Sequence, residues 1–169
     1  MSSKSIFHLE KYPFFLSRVV ELNKLYSPDS DLHDLLAMDP EAWQEAAQGV
    51  DPDPKTKMGR ALIVRRCLHA LHANFPSGAP VHEQVAYLVR GFAGMRLFDE
   101  ANFRTGWDYA GELLQHNDLA LTEADHGVLG NDLFERVEAA YGPFMDKKAL
   151  LDRDDVFDFL AAWFQDRIA

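Results

Sequence analysis

Where glycine and proline fall limits the length of every element this chain can form. They cluster at Pro28, Pro40, Gly49 to Pro54, Pro76 to Pro80, Gly127 to Gly130 and Gly142-Pro143, and such clusters end or interrupt helices and strands alike. Between them the apolar residues recur at three- and four-residue spacing rather than in alternation, which is the period of a helix with one buried face. The expected fold is all-α, a bundle of helices joined by turns.

The same punctuation places the individual helices. Asp39-Pro40 supplies a cap and a first-position proline for a short helix over 40–48, which stops before Gly49. After the rigid Asp51-Pro-Asp-Pro turn, residues 57–74 carry Met58, Leu62, Val64, Cys67, Leu68 and Leu71 on one face. Residues 82–95 repeat the pattern with Val85, Ala86, Leu88, Val89, Phe92 and Ala93, and residues 102–116 with Trp107, Tyr109, Ala110, Leu113 and Leu114. The short connection, residues 96–101, makes these two adjacent and roughly antiparallel core helices. Asn117 suits a left-handed stop after the second of them. Further helices are expected over about 123–140 and 153–167, with Asp152-Arg-Asp-Asp as the acidic start of the last. The N-terminal third reads either as a helix from about 13 to 26 or as a short strand followed by one.

One domain over residues 1–169 accommodates this pattern, and a hydrophobic fraction of 47% with 12 Phe and 3 Trp supplies its core. No run of 18 apolar residues occurs and the first ten residues lack the apolar stretch of a signal peptide, so the expected location is cytoplasmic. A formal charge of −10 opposes general binding to nucleic acid or to an anionic membrane. The single cysteine, Cys67, lies among apolar neighbours and reads as a buried thiol. His69 and His72 share a helix face without a third ligand at a recognised spacing, which favours an ordinary pair over a metal site. No G-x-S-x-G, G-x-x-x-x-G-K-S/T or H-E-x-x-H pattern is present.

The chemistry-bearing stretch is Arg96-Leu-Phe-Asp-Glu-Ala-Asn-Phe-Arg-Thr105, between the two core helices. A helix starting at Asn102 presents unsatisfied N–H groups and a positive dipole end, a ready anion site. Small Ala101 lets the backbone approach a phosphate, Asn102 offers a neutral donor, Arg104 a bidentate charged one, and Glu100 an acceptor for Mg²⁺. The competing reading is that Asp99 or Glu100 merely caps the helix and pairs with Arg104.

This stretch resembles the signature of the Fic/Doc family, His-x-Phe-x-Asp/Glu-Gly/Ala-Asn-x-Arg, with the Thr that often follows in the death-on-curing branch. Phe98, Glu100, Ala101, Asn102, Arg104 and Thr105 are in register, while Arg96 stands where the family carries histidine. The helices on either side agree as well, so the likeness covers about residues 60–165 and is strongest over 83–121. It implies a Fic/Doc-like helical bundle in which Phe98 anchors the loop, Glu100 holds Mg²⁺, the backbone at Ala101 and Asn102 cradles phosphates, and Arg104 holds a terminal phosphate. The implied cofactor is ATP or another nucleotide with Mg²⁺, and the implied partners are a small antitoxin protein and a protein substrate. Three residues after Arg104, where the AMP-transferring branch has a second Arg, this chain has Trp107, which makes the phosphoryl-transferring, Doc-like branch the nearer relative.

In the family the histidine takes the proton from the attacking hydroxyl. A general base works with a pKa near the operating pH, whereas an Arg side chain stays above about 12. Arg96 therefore removes the base and adds a phosphate clamp. The expectation is a degenerate protein, resembling a prophage toxin of a toxin–antitoxin module, that binds a nucleotide or phosphate without efficient transfer. An active phosphoryl or AMP transferase with a different base, and a non-catalytic helical interaction protein, are the alternatives.

Overall fold

The computed structural model describes residues 5–6, 11–122 and 154–169, and among them it holds seven α-helices and no strand. These are α1 (Tyr12–Tyr26), α2 (Leu32–Leu36), α3 (Pro40–Ala46), α4 (Lys57–Ala73), α5 (Val81–Met95), α6 (Asn102–His116) and α7 (Asp155–Gln165). The all-α expectation holds, and the helix boundaries read from sequence fall within two residues of the observed ones. The short α2 was not anticipated, and the helix expected over about 123–140 lies outside the described residues. A helix is present as α1, which both N-terminal readings contain; residues 7–10 ahead of it lie outside the described residues.

The arrangement follows from α5. Every residue from Gln84 to Met95 is buried, so this helix has to be covered on all sides. It packs against α4, α6 and α7, while α1 lies against α6, α2 and α4. Burial on that scale obliges each polar side chain of α5 to find a partner. Gln84 accepts from the Ile6 N–H at 2.9 Å and donates to the Ala79 carbonyl at 2.8 Å. Tyr87 donates to the Leu71 carbonyl at 2.7 Å, and burial pushes its pKa up, which keeps the hydroxyl a donor.

Arg90 is the costliest of these groups, a guanidinium only 2% exposed. It is matched by Asp154, which accepts from Nε at 3.0 Å and from Nη2 at 2.8 Å, the fork-to-fork geometry that strengthens such pairs. The same carboxylate accepts the Phe157 N–H at 2.8 Å and so caps α7. One residue thus starts the last helix and neutralises the central one. Aromatic rings complete the join between α6 and α7: Trp107 lies 5.6 Å from Phe164 and 5.8 Å from Trp163. Backbone bonds from Ala120 and Thr122 to Ala169 and Arg167 then fasten the chain after α6 to the residues after α7.

Asn117 departs from its expected left-handed conformation. Its φ is −108°, and the positive φ of 58° belongs to Asp118. The Asn117 amide donates to the Leu113 carbonyl at 2.8 Å and to the Ile6 carbonyl at 3.1 Å, so it satisfies the last turn and the reversal moves one residue on. Cys67 is buried as expected. His69 and His72 pack edge-on against the Tyr12 ring at 4.9 and 5.8 Å. Among the described residues, no helix is long and apolar enough to cross a membrane.

Two glycines of α6 test the α5–α6 contact. A Cβ on Gly106 would lie 2.8 Å from the Phe92 Cβ, whereas one on Gly111 would meet nothing within 4 Å. Gly106→Ala should destabilise by about 1–3 kcal/mol through overpacking. Gly111→Ala should instead stabilise by up to about 1 kcal/mol through helix propensity. Urea denaturation of both variants reads the difference, and equal effects of the same sign would refute the contact.

Candidate functional site

The loop between α5 and α6 begins and ends on strained backbone. Arg96 closes α5 with φ 47° and ψ 51°, and Ala101 precedes α6 with φ 60° and ψ 30°, both left-handed conformations carrying a side chain. Such a residue costs about 1–2 kcal/mol relative to right-handed backbone. The small side chain at 101 limits the crowding, which is a physical reason for Ala there.

Side chains behind the loop hold it in this shape. Leu97 and Phe98 are 1% and 2% exposed and plug it into the core. The buried Asn102 side chain clamps Phe98 from below: its Oδ1 accepts the Phe98 N–H at 2.8 Å and its Nδ2 donates to the Phe98 carbonyl at 3.0 Å. Thr105 donates to the Ala101 carbonyl at 2.7 Å. From α1, Asn23 Nδ2 donates to the Glu100 carbonyl at 3.0 Å and to Thr105 Oγ1 at 3.1 Å. His33 Nε2 of α2 lies 2.8 Å from Asn23 Oδ1, and its ring faces Phe98 with 6.3 Å between centroids.

The outer face is arranged differently. Asp99 is exposed, pairs with Arg60 of α4 and accepts from Ser30 Oγ at 2.8 Å. Glu100 is exposed. Arg104, 46% exposed, lies 4.8 Å above the Tyr26 ring, and its Nε donates to the Tyr26 hydroxyl at 3.2 Å. Tyr26 in turn donates to Asp108. Partial burial and the bond to Asp108 raise the Tyr26 pKa, so the phenol stays protonated and orients both neighbours. No side chain caps α6, which leaves its first-turn N–H groups, beside Arg104, without the acceptor that a cap would provide.

The capping alternative is not what the structure holds. Ala101 occupies the cap position, Asp99 turns to α4, and Arg104 is taken by Tyr26 and Asp108. The loop thus contains Arg96, Phe98, Glu100 and Ala101, and Asn102 and Arg104 lie in the first turn of α6 that follows it. The Asn102 amide serves the loop's own backbone, so any ligand contact there falls to the main chain. Trp107 is 6% exposed and fills core between α6 and α7, offering no cation. Sequence reading missed Asn23 and His33. The sign was present: Asn23 follows Phe15, Leu16, Val19 and Val20 on the buried face of α1, a polar residue in an apolar stripe.

Compared with known protein families, with curated proteins and with solved structures, the chain finds no match.

Three substitutions check the loop's construction. Ala101→Gly should stabilise by up to about 1 kcal/mol, because glycine tolerates positive φ, and Ala101→Val should destabilise by more than that. Asn102→Ala should cost about 1–3 kcal/mol by orphaning both backbone groups of Phe98. Thermal or urea denaturation measures each, and a neutral Asn102→Ala would refute the clamp.

Proposed function

We propose that this chain is a degenerate Fic/Doc-type protein, similar to a death-on-curing toxin, that binds a phosphate or nucleotide at the start of α6 without efficient transfer. The observation that carries the reading is the uncapped first turn of α6, entered through left-handed Ala101, with the guanidinium of Arg104 fixed beside it by Tyr26. Backbone donors and a bidentate cation together suit a phosphate oxygen set. The resemblance in residues 96–105 supplies the family, and Arg96 at the histidine position supplies the loss of the base.

The residues of the loop and of the first turn of α6 fit the implied nucleotide in part. A phosphate would be held by the α6 backbone and Arg104. Among the described residues no three His, Cys, Asp or Glu side chains converge on a metal position, so Glu100 would hold Mg²⁺ only in company with phosphate oxygens, the usual mode for that ion. The transferase alternative needs a second base. Among the described residues His33 stands behind the loop, 2% exposed and committed to Asn23, so its ring is not presented to a substrate hydroxyl. In the favoured reading the partner is a small antitoxin protein covering the loop, and a protein substrate belongs to the transferase reading.

Binding and turnover should separate. Calorimetry at low ionic strength should detect phosphate or ATP binding that Arg104→Ala weakens about tenfold or more, the scale of a charge-assisted hydrogen bond. Incubation with labelled ATP should label no protein. Absence of anion affinity would sink the proposal, and robust transfer by the unmodified chain would overturn its degenerate character.

A further inference from the structure

We infer that His33 is a pH-sensitive latch on the 96–101 loop, its neutral ring holding the loop closed and its protonated ring releasing it. This goes beyond the anion reading and stands without it.

The hydrogen-bond chain fixes the tautomer. Asn23 uses its NH₂ group on the Glu100 carbonyl and on Thr105 Oγ1, and the Thr105 hydroxyl proton is already given to the Ala101 carbonyl. Only the Asn23 carbonyl oxygen therefore faces His33, so Nε2 must donate to it across 2.8 Å. The lone pair then sits on Nδ1, which is shut off from solvent and has no hydrogen-bond partner among the described residues. A lone pair tolerates that environment. An added proton would not, since it creates an unmet donor and a buried charge at once.

Charged groups from each neighbouring element bear on the ring. Burial is the dominant influence and holds the His33 pKa below the ordinary histidine value. Lys24 of α1 pushes the same way, while Asp99 of the loop and Asp34 of α2 oppose it. Asp99 is already paired with Arg60 of α4. Also from α4, Arg65 gives its Nη2 to the carbonyls of Leu35, Leu36 and Met38, which ties down the end of α2.

The sign follows. A histidine with a lowered folded pKa favours the closed state fully above about 6.5, and that advantage is lost as pH falls through the lowered value. The proton must reach Nδ1 from water, so one wall has to move. On the α2 side stand three carbonyl bonds to Arg65 and buried Leu32 and Leu36. On the loop side stand two left-handed residues and an exposed tip. Strained, exposed backbone is the first to open.

Hydrogen exchange on the full chain, in phosphate-free buffer from pH 7.5 to 5, tests this. After correction for intrinsic rates, protection of the Phe98 and Thr105 N–H groups should be constant above about pH 6.5 and fall by up to tenfold per unit below it. His33→Gln keeps an amide donor for Asn23 without a titrating nitrogen and should make the profile flat. Should that variant not fold, the His33 ring protons of the unmodified chain, followed by NMR, should titrate below the ordinary value and together with the loss of loop protection. A flat profile in the unmodified chain, an unchanged profile in His33→Gln, or ring titration without loop opening would each overturn the latch. Because no phosphate is present, any of these results leaves the anion reading to its own test.

Discussion

Burial of α5 over all but its first turn is the constraint from which the rest of this fold descends. A helix buried from Gln84 to Met95 cannot carry a charged side chain unless another element delivers a counter-charge into the core. Arg90 therefore requires Asp154, and Asp154 requires that α7 begin where it does, since the same oxygen caps that helix. The dependence continues to the C-terminal end of α5. Flanked by core on every side, the chain can leave only through an abrupt reversal, and the left-handed turn at Arg96 provides it. The loop is thus a product of how α5 is packed before it is a site for anything else.

Legibility in the sequence follows the range of the physics. Periodicity and punctuation are local, and they placed α3 to α7 because each has a proline, a cap or a turn at its boundary. The short α2 escaped because five residues are too few to display a period. The site divides in the same way. Phe98, Ala101 and Arg104 sit within one short motif and were named from it. Asn23 and His33 reach the loop across 77 positions, in the case of the Asn23 bond to Glu100, and no local rule connects them. Each is a polar residue on an apolar stripe, which says that a buried partner exists without saying where. Arg90 carries the same sign within the run from Val85 to Ala93, and its partner is 64 positions away.

The loop's two faces depend on different residues. Its shape comes from behind, through Leu97, Phe98, Asn102, Thr105 and the Asn23–His33 chain, all of which are buried. Its exposed side carries Asp99, Glu100 and Arg104. Substituting a residue on the exposed side alters charge and chemistry there but leaves the buried hydrogen bonds in place. For Arg96, half-buried at the turn itself, the relevant constraint is backbone: the position demands positive φ, and no L side chain other than glycine's lone hydrogen favours it. Arginine has no special aptitude for that backbone, whereas Asn, Asp and His are the non-glycine residues found there most often, so the buried network behind the loop has to hold position 96 in place.

That backbone constraint bears on the proposed reading, in which a chain loses a base and keeps its loop. If the histidine of an active ancestor had also held the loop together, its replacement would have freed the loop to drift, and Phe98, Asn102 and Thr105 would have had no reason to remain in register. Here the clamp is made by Asn102 and Asn23 rather than by the side chain at position 96. Under the proposed reading, arginine in place of the base removes proton transfer and adds a permanent positive charge. The proposed anion site would therefore rest on the same buried network whether or not any group is ever transferred. The network also sets the weak point of the arrangement. If His33 is the latch inferred above, the condition that would strengthen a surface histidine's attraction for an anion, a falling pH, would work here against the backbone geometry that the proposed anion site needs.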